Sequence, residues 1–260
     1  MKQKSILVSI LFLIFLEVFS AFTFWRGYFW LWLLISCFCL AAAILWAVGL
    51  SFKKWFSVDL IVHSIYLFLP LVFYIGNLFF LLLIQNKLFK QIFIWLSVFL
   101  FFIILMGIRG VILNLEYPIK PRVTYNFLVL STIWTSFLIH SVIWAFYRDL
   151  NLSIWLIILV FFLINLALFY QIFHLFGVLR RRSLIYAFST ALVVAEFIWV
   201  LCFLPLEYFV AGLLITILFY TLWGLIHHQF EGSLNYKIVL EYLLVALIIF
   251  IFILGKNLII

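Results

Sequence analysis

The chain has 260 residues, of which 70% are hydrophobic and only 9% charged, and its formal net charge is +8. A soluble domain of this size carries about a quarter charged residues to cover its surface, so the apolar excess here must face lipid. The basic residues stand in short groups at the ends of apolar runs, among them Lys2 and Lys4, Lys53 and Lys54, Lys87 and Lys90. That placement suits membrane-topology anchors rather than a phosphate-tracking stripe, and no nucleic-acid partner is expected.

A bilayer span takes about 20 apolar residues, each rising about 1.5 Å. Nine segments meet that length within a few residues: 5–24, 28–50, 58–84, 92–113, 126–147, 152–176, 183–203, 208–226 and 238–254. Alternating ten-residue strands of a β-barrel are not seen. The expected fold is therefore all-α, a polytopic integral membrane helical bundle forming one transmembrane domain over residues 1–260.

The first segment follows Lys2 and Lys4 as a secretory leader would, with Val18, Phe19 and Ser20 in the place of a cleavage site. The apolar run continues past them to Phe24, and Glu17 suits such a site poorly. A retained helix, and so nine spans, is expected; a cleaved one would leave eight. Cys37 and Cys39 in the second segment, like Cys202 in the seventh, lie in apolar surroundings without metal-ligand or disulfide spacing, so they are read as small buried hydrophobes.

The third segment carries Asp59, His63, Tyr66, Pro70, Tyr74 and Asn77, at steps of 4, 3, 4, 4 and 3 residues. On a helix of 3.6 residues per turn these positions form one stripe. Pro70 frees the Tyr66 carbonyl from its helical bond on that same face. Such a stripe either lines a polar cavity or glues helices together through hydrogen bonds. In the fourth segment Arg109 stands between Gly107 and Gly110 and is expected to snorkel to the nearer interface. Two weaker stripes follow: Thr132, Ser136, His140, Trp144 and Tyr147 in the fifth segment, and Gly212, Thr216, Tyr220, Trp223 and His227 in the eighth. Arg180, Arg181 and Arg182, ahead of the seventh, are expected to attract anionic lipid headgroups.

Lys and Arg in alternate connections set the orientation. With the N-terminus inside, Lys2, Lys4, Lys53, Lys54, Lys120, Arg122, Arg180, Arg181, Arg182 and Lys237 are internal, whereas Arg26, Lys87, Lys90, Arg148 and Lys256 are external. This bias predicts a cytoplasmic N-terminus. Counting from the inner helix ends, Glu17 lies at about 18 Å, His140 at about 21 Å, Asn165 at about 16 Å and Glu196 at about 20 Å. Intramembrane polar groups are costly, so this common layer is a candidate proton or cation site if the bundle gathers it.

No Gly-rich phosphate loop, His-Glu-x-x-His or Gly-x-Ser-x-Gly sequence is present, so no catalytic residue is named and no cofactor is expected. His227 and Glu231 stand one turn apart but lack a third ligand, and no metal is expected. The leading expectation is a multi-pass protein of the cell membrane that moves or senses a small solute or protons. Its alternatives are a non-catalytic subunit or scaffold for a membrane protein partner and, less favoured, a lipid-modifying enzyme using His63 with Asp59. The wealth of Phe and Ile with only 10 Gly resembles products of AT-rich prokaryotic genomes.

Overall fold

Within lipid the backbone finds no water, so a spanning segment closes its hydrogen bonds inside one helix. The computed structural model describes residues 2–22, 29–48, 60–116, 122–175 and 180–258, and some helix ends in backbone only. Every regular element among the described residues is an α-helix, and nine occur. They are α1 (Lys2–Phe22), α2 (Phe29–Val48), α3 (Leu60–Leu83), α4 (Lys87–Glu116), α5 (Arg122–Asp149), α6 (Ile154–Leu175), α7 (Arg180–Leu201), α8 (Tyr208–Phe230) and α9 (Tyr236–Leu258). Six of them (α1, α4, α5, α6, α7 and α8) are long and apolar enough to cross a membrane; α2 and α3 hold the shorter apolar stretches Leu33–Trp46 and Phe68–Leu83 among the described residues. The chain is a helical membrane protein.

Several helices outrun their apolar segments, and at α4 local polar chemistry sets the start. Asn86 Oδ1 accepts the backbone N–H of Leu88 at 2.9 Å and of Phe89 at 3.2 Å. This cap begins α4 at Lys87, five residues before the apolar run, and takes Lys87 and Lys90 into the helix. α3 continues through Pro70 as 24 helical residues. The hydroxyls of α5 and α8 bond their own helices: Thr132 to the Leu128 carbonyl at 2.8 Å, Thr135 to Ser131 at 2.7 Å and Thr216 to Gly212 at 2.7 Å. A hydroxyl satisfied this way needs no partner helix. After α8 the chain turns at Gly232, whose φ of +67° lies where a side chain is strained.

The helices group into two compact units, Met1–Thr135 and Ser136–Ile260, with the division inside α5. In the first, α1 packs on α2, α3 and α4, α2 on α3 and α4, and α3 on α4. Phe12 is the centre of its core, stacked on Phe101 at 4.1 Å and touching Phe73 at 6.0 Å and the edge of Tyr74 at 5.7 Å. A methyl group at Gly107 would come within 2.7 Å of Leu128 Cγ, so the glycine is what lets Leu128 of α5 sit against α4.

In the second unit α6 packs along α7, α7 on α8 and α8 on α9. Phe169 of α6 stacks on Phe219 of α8 at 4.2 Å. α8 reaches α5 at Gly212, where an added Cβ would lie 2.9 Å from the Ser141 Cα. Backbone cannot yield as a side-chain tip can, and small residues at such crossings are what allow membrane helices to approach closely. Gly212→Ala is accordingly expected to lower stability by about 1–3 kcal/mol, read as an earlier thermal unfolding midpoint in detergent. Gly255→Ala on α9, where nothing lies within 4 Å, should not lower it.

Candidate functional site

The part of α5 that belongs to the second unit carries Ser136, His140, Trp144 and Tyr147 on one face. The first three are buried, and the imidazole of His140 is fully enclosed. Ser136 Oγ lies 3.1 Å from His140 Nδ1, engaging one ring nitrogen on its own helix. The other side of the ring meets α6. The Phe161 ring centroid is 5.5 Å away, and Asn165, one turn further along, is the polar neighbour of the imidazole. Asn165 is itself anchored by Nδ2, which donates to the Phe161 carbonyl at 2.9 Å. The amide and imidazole lie side by side without completing a bond, since neither Asn165 Oδ1 nor His140 Nε2 is hydrogen-bonded. Buried polar atoms are nearly always paired, and here two unsatisfied ones face each other from neighbouring helices.

Trp144, one turn or about 6 Å beyond His140, lines a cleft of about 420 Å³ at the end of α5. Tyr147, Arg148, Asn151, Cys202 and Pro205 complete its polar and bent parts. The cleft owes its shape to the Leu206 carbonyl, which accepts Trp144 Nε1 at 3.2 Å and Arg148 Nη1 at 2.7 Å. These two bonds fasten the connection between α7 and α8 onto the end of α5. Asn151, with φ of +47°, makes the tight turn from α5 toward α6; asparagine is among the few residues that tolerate this conformation. A polar face thus runs from an open cleft to an enclosed imidazole–amide pair within one unit.

Of the other residues expected in that layer, Glu196 belongs to the second unit and Glu17 to the first. Glu196 is exposed on α7 beside Leu192, Val193, Trp199 and Val200, which are exposed as well. It stands about 8 Å from the end of its helix and outside the enclosed pair. Glu17 is in the first unit, half-buried, and its Oε1 accepts Gln91 Nε2 at 2.6 Å. It too stands about 8 Å from a helix end, where a carboxylate is less costly than at the bilayer centre.

Of the stripe on α3, Tyr74 and Asn77 are fully buried in the first unit. Asn77 Nδ2 donates to the Phe73 carbonyl at 2.7 Å while its Oδ1 is not bonded, and Tyr74 sits among Phe12, Phe15 and Ser36. Asp59 lies outside the described residues, as do the side chains of His63 and Tyr66. Arg181 and Arg182 are exposed at the start of α7, and the side chain of Arg180 lies outside the described part. His227 Nε2 is 3.4 Å from Glu231 Oε1 at the end of α8, and no group of three metal-binding side chains occurs among the described residues.

Residues 13–255 match the protein-family model described as Protein of unknown function (DUF5656). The chain belongs to the DUF5656 family. The matched region begins inside α1, just after Phe12, and ends inside α9, so the DUF5656 region takes in the cleft and the imidazole–amide pair. No curated protein and no solved structure matches the chain at a significant level.

Sequence reasoning missed the fastening of Leu206, because a backbone carbonyl carries no motif; Pro205 beside it is the only local signal of a fixed bend. Its importance in this DUF5656 protein is measurable. Arg148→Met removes a charged donor to a buried carbonyl and is expected to cost about 1.5–3 kcal/mol. Limited proteolysis should then cut between residues 202 and 207 faster than in the unchanged protein, whereas Arg181→Met should leave that rate alone.

Proposed function

We propose that this protein moves or senses a small polar solute or protons across the membrane, with the cleft beside Trp144 as the mouth and His140 with Asn165 as the inner station. The observation that carries the proposal is the pair of enclosed, unbonded polar atoms on facing helices, one helical turn below a residue that lines that cleft. Imidazole carries two ring nitrogens, one able to donate and the other to accept. Ser136 on one ring nitrogen and Asn165 near the other give it neighbours on both sides for a relay.

In this reading all nine helices cross the bilayer, since each has between 20 and 30 residues, and about 20 suffice. α1 is then a retained span, supported by Phe12 stacked at the centre of the first unit. By the Lys and Arg bias the N-terminus is then cytoplasmic and the cleft is on the outer side; the AT-rich composition suggests the cell is prokaryotic.

Purified protein in liposomes enclosing a pH-sensitive dye tests the proposal. Dissipation of an imposed pH gradient is expected to exceed that of protein-free liposomes and to fall at least about tenfold in His140→Phe and in Asn165→Leu, a rise of about 1.4 kcal/mol or more in the rate-limiting barrier. Undiminished flux through folded variants would remove both residues from the path. A scaffold or subunit role is the second reading, favoured by the hydroxyls satisfied within their own helices and by the backbone contact at Gly212. A rate equal to that of empty liposomes, with both variants merely less heat-stable, would favour it.

A further inference from the structure

The opposite end of the second unit holds a separate cleft, of about 410 Å³, between the first turns of α7 and the last turn of α8. Arg182, Tyr186 and Gln229 supply its polar lining, and Ile185 and Phe230 its apolar lining. Its walls are held by ring packing: Phe230 meets Tyr186 edge-on at 4.9 Å and Phe173 at 5.7 Å. Among the described residues, neither the Arg182 guanidinium nor the Gln229 side-chain amide has a hydrogen-bond or ion-pair partner. Both are donors that match phosphate oxygens, and guanidinium does so in a two-pronged fashion. The candidate spans Arg181–Leu201 and Tyr208–Phe230 meet their ends at this cleft, which puts it at the boundary between water and lipid.

We propose that this cleft binds the phosphate headgroup of one anionic phospholipid. Lipid is favoured over a free anion by what lies below the polar groups. Ile185, Phe188 and Leu192 are all exposed and follow one another at three- and four-residue steps down the outside of α7. They form an apolar track on which acyl chains can lie while Arg182 and Gln229 hold the phosphate. Tyr186 stands between, with its ring against Phe230, as amphipathic aromatics do at membrane interfaces. Arg181, also exposed, does not line the cleft and contributes only to the surface potential. The proposal rests on the membrane placement of α7 and α8, and not on any role of His140.

Native mass spectrometry of the detergent-purified protein, titrated with phosphatidylglycerol or phosphatidylcholine, tests it. One phosphatidylglycerol should stay bound under activation that strips phosphatidylcholine. Arg182→Gln and Gln229→Ala should each weaken its retention, the former by about tenfold, while Arg181→Gln changes it less than twofold. Equal losses in Arg181→Gln and Arg182→Gln would show diffuse surface attraction and overturn the site. Equal retention of the two lipids would overturn it too. Inorganic phosphate displacing phosphatidylglycerol at millimolar concentration, and raising the unfolding temperature as the lipid does, would assign the cleft to a free anion instead. Gln229→Ala removes only an exposed side chain, so it keeps the test valid even if the arginine variants fold poorly.

Discussion

Water is missing from the bilayer interior, so each polar atom on a spanning helix must find its partner inside the chain or remain unpaired at a cost of several kcal/mol. Backbone groups meet the demand by helix formation, which is why the regular structure described is helical throughout. Thr132, Thr135, Thr190, Thr216 and Thr221 meet it by folding back on carbonyls of their own helices. Side chains that cannot reach their own backbone with every polar atom are the ones that stand out. His140, Asn165 and Asn77 each keep one unbonded atom after making the local contact available to them.

The same constraint separates the two ends of the second unit. At one end the Leu206 carbonyl would be left open by the break between α7 and α8. Trp144 and Arg148 close it, and the bend they hold leaves a polar cleft above His140. At the other end Arg182 and Gln229 border a cleft without protein partners for their donors among the described residues, beside an apolar helix face. Between the ends the packing is aromatic and tight, with Phe169 on Phe219 and α8 pressed to Ser141 through Gly212. One end is thus suited to a polar solute, the other to a lipid.

Distance along a helix can be counted from the sequence; direction around it cannot. A rise of 1.5 Å per residue is enough to list Glu17, His140, Asn165 and Glu196 as one depth. Only packing tells that Asn165 meets His140, that Glu196 is exposed and that Glu17 bonds Gln91. Uniformly apolar helices carry little amphipathic signal, because the lipid-facing and protein-facing sides use the same residues. Helix starts were misjudged for a related reason. Apolar runs mark what lies in lipid, whereas the Asn86 cap extends α4 outward through Lys87 and Lys90, residues that hydropathy assigns to a connection. Glycine was legible as a class of contact but not as a pair: nothing in the sequence links Gly212 to Ser141.

Access of water to the imidazole–amide pair is the central point of the account. It is measured most directly by labelling single cysteines from the cleft side with a membrane-impermeant thiol reagent, in a background lacking Cys37, Cys39 and Cys202. The account predicts fast reaction for Tyr147→Cys, slower but complete reaction for Trp144→Cys and His140→Cys, and none for Phe169→Cys in the aromatic core. Full protection of His140→Cys in folded protein, alongside rapid labelling of Tyr147→Cys, would contradict it and leave the cleft a shallow surface feature above a dry bundle.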